Sequence, residues 1–187
     1  MLLFSLTEEQ NTLIENAELE ALITAVSAGD NAAMEQLYLR TRTAIYGYSL
    51  SILKNPHDAE DVLHDCLIAV KNGAEKYHAQ GKTMAWLITV ARNLCFGLLR
   101  ERRKTEAADP DGAAPDFAES TAMSPEDKVI LKACMEQLSD EERQIITLHA
   151  VSGFRHREIA AITKLPLSTV LSKYHRAVKR LRKQLQN

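Results

Sequence analysis

The sequence is poor in cysteine and lacks the usual motifs of enzyme sites. Cys66, Cys95 and Cys134 are odd in number, far apart and never spaced as CxxC. This pattern does not suggest a disulfide framework or a thiolate zinc site. We expect all three cysteines to be small buried residues of the core. The chain also has no phosphate-cradling glycine loop, no metal-spaced His or Cys cluster, and no nucleophile with an evident base. We therefore predict that it is not an enzyme and uses no metal or cofactor.

The N-terminal apolar run is too short for a signal peptide or a membrane-spanning helix. The first residues, MLLFSLTEEQ, contain Glu8 and Glu9 and no Lys or Arg. The 187-residue chain is 45% hydrophobic, enough for one domain or two small ones to bury a core. We expect a cytoplasmic protein without membrane insertion.

Strand-like alternation is almost missing, whereas the helical period recurs in nearly every segment. This pattern predicts an all-α protein of two small helical domains. The first domain is predicted at residues 18–104, after an N-terminal extension of residues 1–17. Its helices are predicted at residues 18–28, at 31–53, from the Asn55-Pro56 pair to near Gly73, and from about residue 84 to Lys104.

Residues 105–123, TEAADPDGAAPDFAESTAM, hold five acids and no base, and they predict a flexible acidic linker. The second domain, residues 124–187, begins with Ser124 in SPED and continues with SDEE, a predicted capping box from Ser139 to Glu142. A short helix around EIAAI, a turn at residues 164–166 and a basic helix then describe a helix-turn-helix.

The charges are divided unevenly along the chain. From Arg155 onward there are nine bases and one acid, which leaves fourteen bases and 24 acids before it, a balance of −10. A basic end on an acidic body indicates a nucleic-acid partner for the end and a different, protein partner for the body.

The last helix carries most of the basic charge. With Ser168 as its predicted N-cap, apolar residues from Val170 to Leu185 form one face, and the other face holds bases but no acid. One interpretation is a solvated face whose cations suit a helix C-terminus. The alternative is a DNA-reading helix, favoured because a merely solvated helix would gain from Glu to Lys pairs. Its DNA-facing residues would be Arg155, His156, Ser168, Thr169, Leu171, Ser172, Lys173, Arg176, Lys179 and Arg180.

Three segments are similar to motifs that occur together in one known family. DAEDVLHD (residues 58–65) is similar to a DAEDLVQE-like run, and WLITVARN (86–93) is similar to WLxxIARN. EIA, starting at Glu158, with PLSTVLSKYHRA (166–177) is similar to EIA with PxGTVxSRxxRA. Through these motifs the chain resembles bacterial sigma factors of the extracytoplasmic-function group, in the sigma-70 family. The sequence departs from these patterns at His64 and Asp65, and again at Ser168, Leu171 and Lys173. At position 171 the family commonly has a Lys that reads a DNA base, and this chain has Leu171 instead. The usual contacts of this helix with the −35 promoter element are therefore not all expected here.

The resemblance implies an alternative sigma factor that binds core RNA polymerase, recognises −10 and −35 promoter elements and promotes melting. It implies docking on the polymerase clamp coiled coil by Asp58, Glu60, Asp61, His64 and Asp65, contact of the second domain with the polymerase flap, and control by an anti-sigma factor. The −10 contacts would come from Lys82, Thr83, Trp86, Thr89, Asn93, Arg100 and Arg103, with neighbouring Arg92, Arg102 and Lys104 also meeting phosphates.

Two other functions stay open at this point. A stand-alone helix-turn-helix regulator would use the C-terminal domain alone, but leaves the acidic helix and the Trp86 segment unexplained. A sigma-like interaction module would bind polymerase or an inhibitor without starting transcription, and Leu171 favours it. This residue could touch a thymine methyl or, as we expect slightly more, extend the apolar face.

Overall fold

The computed structural model describes residues 2–74, 77, 81–106 and 135–185. These ranges contain seven helices and no strand, which confirms the all-α prediction. The helices are α1 (Leu2–Ser27), α2 (Asn31–Leu53), α3 (Pro56–Gly73), α4 (Thr83–Glu106), α5 (Asp140–Ala150), α6 (His156–Thr163) and α7 (Leu167–Leu185). Most of the predicted linker, the SPED segment and Cys134 lie outside the described residues.

The first helix is longer than predicted. It runs from Leu2 to Ser27, through the boundary that we placed between residues 17 and 18. No Pro or Gly interrupts residues 2–17, so nothing in the local sequence ends the helix there. Asn16 belongs to this helix and is buried, and its side-chain oxygen accepts a 3.1 Å hydrogen bond from the backbone N–H of Met84. The N-terminal helix therefore provides a hydrogen-bond acceptor for one of the backbone N–H groups at the start of α4 that have no partner within their own helix.

The junction between α2 and α3 follows the sequence prediction. Lys54 ends α2 in the left-handed region with φ 58°, and Asn55 caps α3. The Asn55 side-chain oxygen accepts hydrogen bonds from the N–H groups of His57 and Asp58 at 3.0 and 3.3 Å. Pro56 then occupies the first helical turn, where its missing N–H costs nothing.

The first four helices enclose an apolar core. Its largest fully buried side chains include Leu37, Ile45 and Tyr48 of α2 and Leu87 and Ile88 of α4. Cys66 and Cys95 are also fully buried as free thiols, as predicted. Burial raises the pKa of Cys66 to about 12 and that of Cys95 to about 11, which keeps both thiols protonated and unreactive.

Helices α5 to α7 form the second group, and the capping box that opens α5 is confirmed. Ser139 Oγ accepts from the Glu142 N–H, and the Glu142 carboxylate accepts from the Ser139 N–H. Every residue from 142 to 148 is buried. A helix with no exposed side along this run must be covered on opposite faces.

Helix α5 packs against α7 on one side and against α2 of the first group on the other. Lys54 Nζ of α2 lies 2.8 Å from the Asp140 carboxylate at the start of α5. A single apolar cluster contains Ile45 and Leu87 from the first group together with Ile145, Leu148 and Ile159 from the second. The two helical groups therefore pack on each other. None of the helices described here is both long and apolar enough to cross a membrane.

Candidate nucleic-acid and protein interfaces

The outer face of α3 is an acidic surface. Glu60, Asp61, His64 and Asp65 are exposed, as predicted. The His64 ring is held in place, because its Nδ1 lies 2.9 Å from the backbone oxygen of Glu60. Its Nε2 therefore points away from its own helix backbone. We call the exposed side chains Glu60, Asp61, His64, Asp65 and Ile68 the α3 face.

Asp58 does not belong to the α3 face, which corrects the sequence prediction. It is 8% exposed, and its carboxylate lies 2.5 Å from the Arg102 guanidinium of α4. An Asp in the first turn of a helix is favoured by the helix dipole, and here it also pairs with a base across the bundle. Its role is to join α3 to the end of α4, and Arg102 is consequently engaged within the protein.

Ile68 is the apolar member of the α3 face that sequence reasoning missed. It is 56% exposed, more than Leu39 or Val151 at 46%. It lies one helical turn from His64 and Asp65, and two turns from Asp61. The signal was present in the sequence, because Ile68 falls outside the buried stripe formed by Val62, Cys66 and Val70.

An aromatic pair lies at the start of α4. The rings of Tyr77 and Trp86 are 4.6 Å apart at an interplanar angle of 46°. Trp86 is partly buried, and Lys82 beside it is exposed. Thr83 is fully buried instead of facing a ligand: its hydroxyl lies 2.9 Å from the Tyr77 hydroxyl and donates to the Asn16 carbonyl at 3.3 Å. Thr83 thus positions the aromatic pair, which corrects its predicted DNA contact.

The remaining predicted residues of α4 divide by exposure. Asn93, Arg100, Arg103 and Lys104 are exposed. Thr89 is half-buried and donates its hydroxyl hydrogen to the Ala85 carbonyl at 2.7 Å. Arg92 is turned along its own helix, with its guanidinium 4.6 Å from the centre of the Phe96 ring. Part of the Arg92 guanidinium thus faces the Phe96 ring, and its contact with phosphate stays a prediction.

A cleft of about 690 Å³ separates α4 from α6. One wall contains Lys82, Trp86 and Thr89, which were predicted to contact the −10 element, together with Tyr77. The opposite wall is formed by α6 of the second group. Its lining residues are Arg157, Glu158, Ala161 and Ile162. The structure thus brings part of the predicted −10 surface face to face with the helix-turn-helix.

The helix-turn-helix is formed by α6 and α7. Lys164 adopts the left-handed conformation with φ 60° and ends α6, and its N–H bonds the Ala160 carbonyl. The helix α7 begins at Leu167, so Ser168 lies inside the first turn and is not the N-cap that we predicted. Val170 and Ala177 are fully buried and fix the inner face of α7.

The outer face of α7 exposes Ser168, Leu171, Ser172, Arg176 and Lys179. Leu171 is 37% exposed, so our slightly favoured expectation that it extends the buried face is wrong. Positions 168, 171 and 172 share one side of a helix, which places Leu171 between two serines. We call these five residues the α7 face.

Two bases predicted to face DNA are held by acids of α5. Lys173 Nζ lies 2.7 Å from the Glu141 carboxylate. Arg180 donates to Glu142 at 3.0 Å and to the Gln137 carbonyl at 2.8 Å. Their charges hold α7 onto α5, so they contribute less free positive charge than the sequence indicates. The half-buried Thr169 adds little exposed surface.

Next to this face, His156 is half-buried in an aromatic cluster. Its ring centre lies 4.8 Å from that of His149 and 4.6 Å from that of Tyr174. Burial lowers the pKa of His156, and the nearby His149 and His175 lower it further. A neutral ring in this position serves packing more than phosphate binding, in contrast to the prediction. Arg155, just before it, is exposed.

Comparison with known proteins finds two family models that match the chain. Residues 37–105 match the family model described as Sigma-70 region 2, and residues 128–181 match Sigma-70, region 4. The chain is 26% identical over 174 residues to the ECF RNA polymerase sigma factor SigK of Mycobacterium tuberculosis (strain ATCC 25618 / H37Rv), covering 89% of this chain and 93% of the relative. The SigK of Mycobacterium ulcerans is 26% identical over 172 residues, with 88% and 92% covered.

Solved structures give the same result at the level of the fold. The sigma factor RpoE from Bartonella quintana, determined in complex with the anti-sigma factor NepR, is similar with a TM-score of 0.70 and 25% identity. The match covers 81% of this chain and 96% of that one. CnrH in complex with the cytosolic domain of CnrY has a TM-score of 0.64 and 21% identity, with 90% and 97% covered.

Proposed function

The chain belongs to the extracytoplasmic-function group of the sigma-70 family and is an alternative sigma factor for transcription initiation; from this premise we propose how its surfaces divide the work. Residues 18–104 bind core polymerase and open the −10 element, and residues 124–187 read the −35 element and contact the polymerase flap. The work takes place in the cytoplasm, and no enzymatic step is involved. The α7 face, exposed on a helix whose other side is buried, is the observation that carries this proposal.

The α3 face is the docking surface for the clamp coiled coil of polymerase. Its exposed acids suit basic side chains on the partner, and opposite charges steer encounter and make the association rate sensitive to salt. Ile68 supplies the apolar contact that charges alone lack. A small apolar centre surrounded by polar groups is the usual anatomy of an energetically important contact.

Promoter melting is carried out by the Tyr77–Trp86 pair and the basic side chains around it. An unstacked nucleobase loses the stacking contacts with its neighbours. An indole or phenol ring can replace one neighbour, and this stacking contributes roughly 1 to 3 kcal/mol of binding free energy per nucleobase. Extruding a base costs a few kcal/mol, so stacking and hydrogen bonds together offset the cost. Lys82, Arg100 and Arg103 are exposed and can neutralise the phosphates of the opened strand.

The α7 face reads the −35 duplex. Ser168 and Ser172 can hydrogen-bond base edges or phosphates, and Arg176 is placed for a base or phosphate contact. Leu171, exposed between the two serines, is suited to contact a thymine methyl group. We expect the −35 element to contain a thymine at the corresponding position.

Run-off transcription tests the proposed function as a whole. Core polymerase, this chain and a promoter library should yield start sites that are missing without the chain. If no start sites arise, and the chain binds duplex DNA tightly without polymerase, it is a stand-alone regulator instead. If it binds polymerase but produces no start sites, it is an interaction module.

Asp61→Arg tests the docking surface in particular. Reversing an exposed charge on the α3 face should weaken binding to core polymerase and leave binding of the −35 duplex unchanged. Glu35→Arg is the matched control, because it reverses an exposed acid on α2. Equal losses of polymerase affinity in the two variants would mean that overall charge, and not the α3 face, determines docking.

We also propose that an anti-sigma protein controls this chain. The support is that RpoE and CnrH, which share its fold, were determined in complexes with the anti-sigma factor NepR and with the cytosolic domain of CnrY. Copurification of the chain from cells grown without stress, followed by mass spectrometry, would identify the partner. A preparation in which only polymerase subunits copurify would argue against such control.

A further inference from the structure

Helix α1 contacts the start of α4 at two places. Glu20 Oε1 accepts a 2.8 Å hydrogen bond from the backbone N–H of Gly81, which lies 61 positions further along the chain. One helical turn before Glu20, the Asn16 side chain accepts from the Met84 N–H at 3.1 Å, and its backbone carbonyl accepts from the Thr83 hydroxyl at 3.3 Å. Asn16 and Glu20 are four residues apart and therefore share one face of α1. This face is directed at the segment that leads into α4.

The same contacts continue to the aromatic pair. The Thr83 hydroxyl lies 2.9 Å from the Tyr77 hydroxyl, and the centre of the Tyr77 ring lies 4.6 Å from that of Trp86. Burial raises the pKa of Tyr77, the Thr83 hydroxyl opposes this shift, and the Glu20 carboxylate adds to it. Glu20 is thus close to the Tyr77 hydroxyl as well as to Gly81, and the phenol keeps its hydrogen for these contacts. Direct contacts therefore connect α1 to Trp86.

The backbone conformation at Gly81 gives the Glu20 contact its purpose. Its φ is 68°, in the left-handed region that residues with a side chain rarely adopt, and an added β carbon would meet no atom of the described residues within 4 Å. Glycine is therefore needed here for its backbone angle and not for close packing. Because glycine has the most conformational freedom to lose, a fixed acceptor on α1 restricts a residue that would otherwise vary. That acceptor is carried by a helix anchored in the core through Leu19 and Ile23.

We propose that Asn16 and Glu20 of α1 are positioning residues for promoter opening. They hold the Tyr77–Trp86 pair, and the backbone next to it, in the arrangement that receives an unstacked nucleobase. The inference rests on the proposed function and adds the N-terminal helix to the residues that carry it out. Neither side chain has to touch DNA. A site that is correctly formed in only a fraction of the molecules has its affinity reduced by that fraction, so loosening these contacts weakens strand binding.

Glu20→Ala is the main variant. It removes the acceptor of the Gly81 N–H and should lower the affinity of holoenzyme for the −10 single strand by roughly three- to tenfold, as expected for one lost hydrogen bond. Glu20→Gln keeps a side-chain oxygen that can accept the same bond, and it should bind within about twofold of wild type.

Glu18→Ala is the matched control for charge. Glu18 is an exposed acid on the same helix, but its ion-pair partner is Arg40 of α2. Both alanine variants remove one negative charge from α1. An effect of charge alone would therefore strengthen binding to the phosphates of the strand in both of them, which is opposite in sign to the loss expected for Glu20→Ala.

The probe is a labelled single strand that carries the −10 sequence mapped by run-off transcription, titrated with holoenzyme. A second strand has an abasic site at the position where this replacement costs the wild type most affinity. If Glu20 positions the site for that nucleobase, the abasic site should cost Glu20→Ala much less than it costs wild type, because both changes remove the same contact. Affinity for core polymerase and for the −35 duplex should be unchanged. Additive losses on the abasic strand would refute the positioning role.

Trp86 is the single tryptophan of the chain, so its fluorescence reports on the aromatic pair in the free protein. Glu20→Ala and Asn16→Ala should shift the Trp86 emission to longer wavelength and increase its quenching by acrylamide, with an unchanged circular dichroism spectrum. Glu20→Gln and Glu18→Ala should match wild type. Asn16 is buried, so if Asn16→Ala does not fold, Glu20→Ala carries the test. An unchanged emission in Glu20→Ala would overturn the proposal, as would a shifted emission without loss of strand affinity.

The two hypotheses fail in different ways. If wild-type holoenzyme produces start sites but Glu20→Ala and Glu18→Ala bind the strand equally well, the positioning role is wrong and the sigma function stands. If wild-type holoenzyme produces no start sites, the promoter function fails, and the positioning role fails with it whatever the Trp86 fluorescence shows.

Discussion

Ile68→Ser should weaken binding to core polymerase without disturbing the fold. Complete burial of an Ile side chain contributes roughly 1.5 to 3 kcal/mol. Ile68 is 56% exposed in the free chain, so docking can bury about half of that side chain. The lost contribution is about 0.8 to 1.7 kcal/mol, which corresponds to a roughly four- to seventeenfold rise in Kd. Because the side chain is already in water, the substitution leaves no cavity in the free protein.

Fluorescence anisotropy of the labelled chain, titrated with core polymerase at fixed ionic strength, measures this change. Leu39→Ser is the matched control, since Leu39 is 46% exposed and belongs to α2 instead of α3. The control should bind within twofold of wild type, and thermal unfolding should be unchanged in both variants. Equal affinities for the two variants, or a loss as large for Leu39→Ser, would refute the apolar contact.

Four further changes test the second domain. Arg176→Ala should reduce duplex affinity and lower the salt slope by about one counterion if the side chain meets a phosphate, and an unchanged slope places it elsewhere. Leu171→Ala should relax discrimination between thymine and uracil at one −35 position, whereas equal loss on all sequences would argue against a methyl contact. Arg143→Ala leaves the Met135 and Leu138 backbone carbonyls without their donor and should cost about 3 kcal/mol of stability. We expect the melting temperature measured by circular dichroism to fall by about 6 to 12 °C. Arg182→Ala is the control and should leave it almost unchanged. Burial and the neighbouring imidazoles lower the pKa of His156 in the folded state, so its contribution to stability is complete above about pH 6.5 and declines in more acidic buffer. His156→Gln should therefore flatten the pH dependence of the melting temperature. An unaltered pH profile would show that another group titrates.

Local signals predicted much of the secondary structure. The Asn55-Pro56 start of α3, the Ser139–Glu142 capping box and the turn at Lys164 all form where the sequence placed them. Each depends on hydrogen bonds or backbone angles within a few residues, so the sequence contains the whole interaction. The start of α1 was missed because the helix passes through a segment without a breaker.

The candidate site residues were harder to predict because exposure is a property of the packed chain. Asp58 and Asp61 lie on the same helix, but it is Asp58 that forms an ion pair with a basic side chain of α4, Arg102. Thr83 stands beside exposed Lys82 and is buried under α1. Lys173 belongs to the same basic helix as Arg176, yet it is paired with an acid of α5. In each case a contact with a residue distant in sequence decided the outcome.

The sequence by itself determined an all-helical chain, a helix-turn-helix with a basic last helix, and the family to which the motifs belong, because periodicity, caps and short motifs are local. Only the tertiary structure decided which charges remain free, which side of α7 Leu171 occupies, and that α5 packs against α2. Those outcomes depend on burial and on pairing between helices far apart in the chain. The closed packing of the two helical groups is the clearest case, since no segment of either group contains its partner's surface.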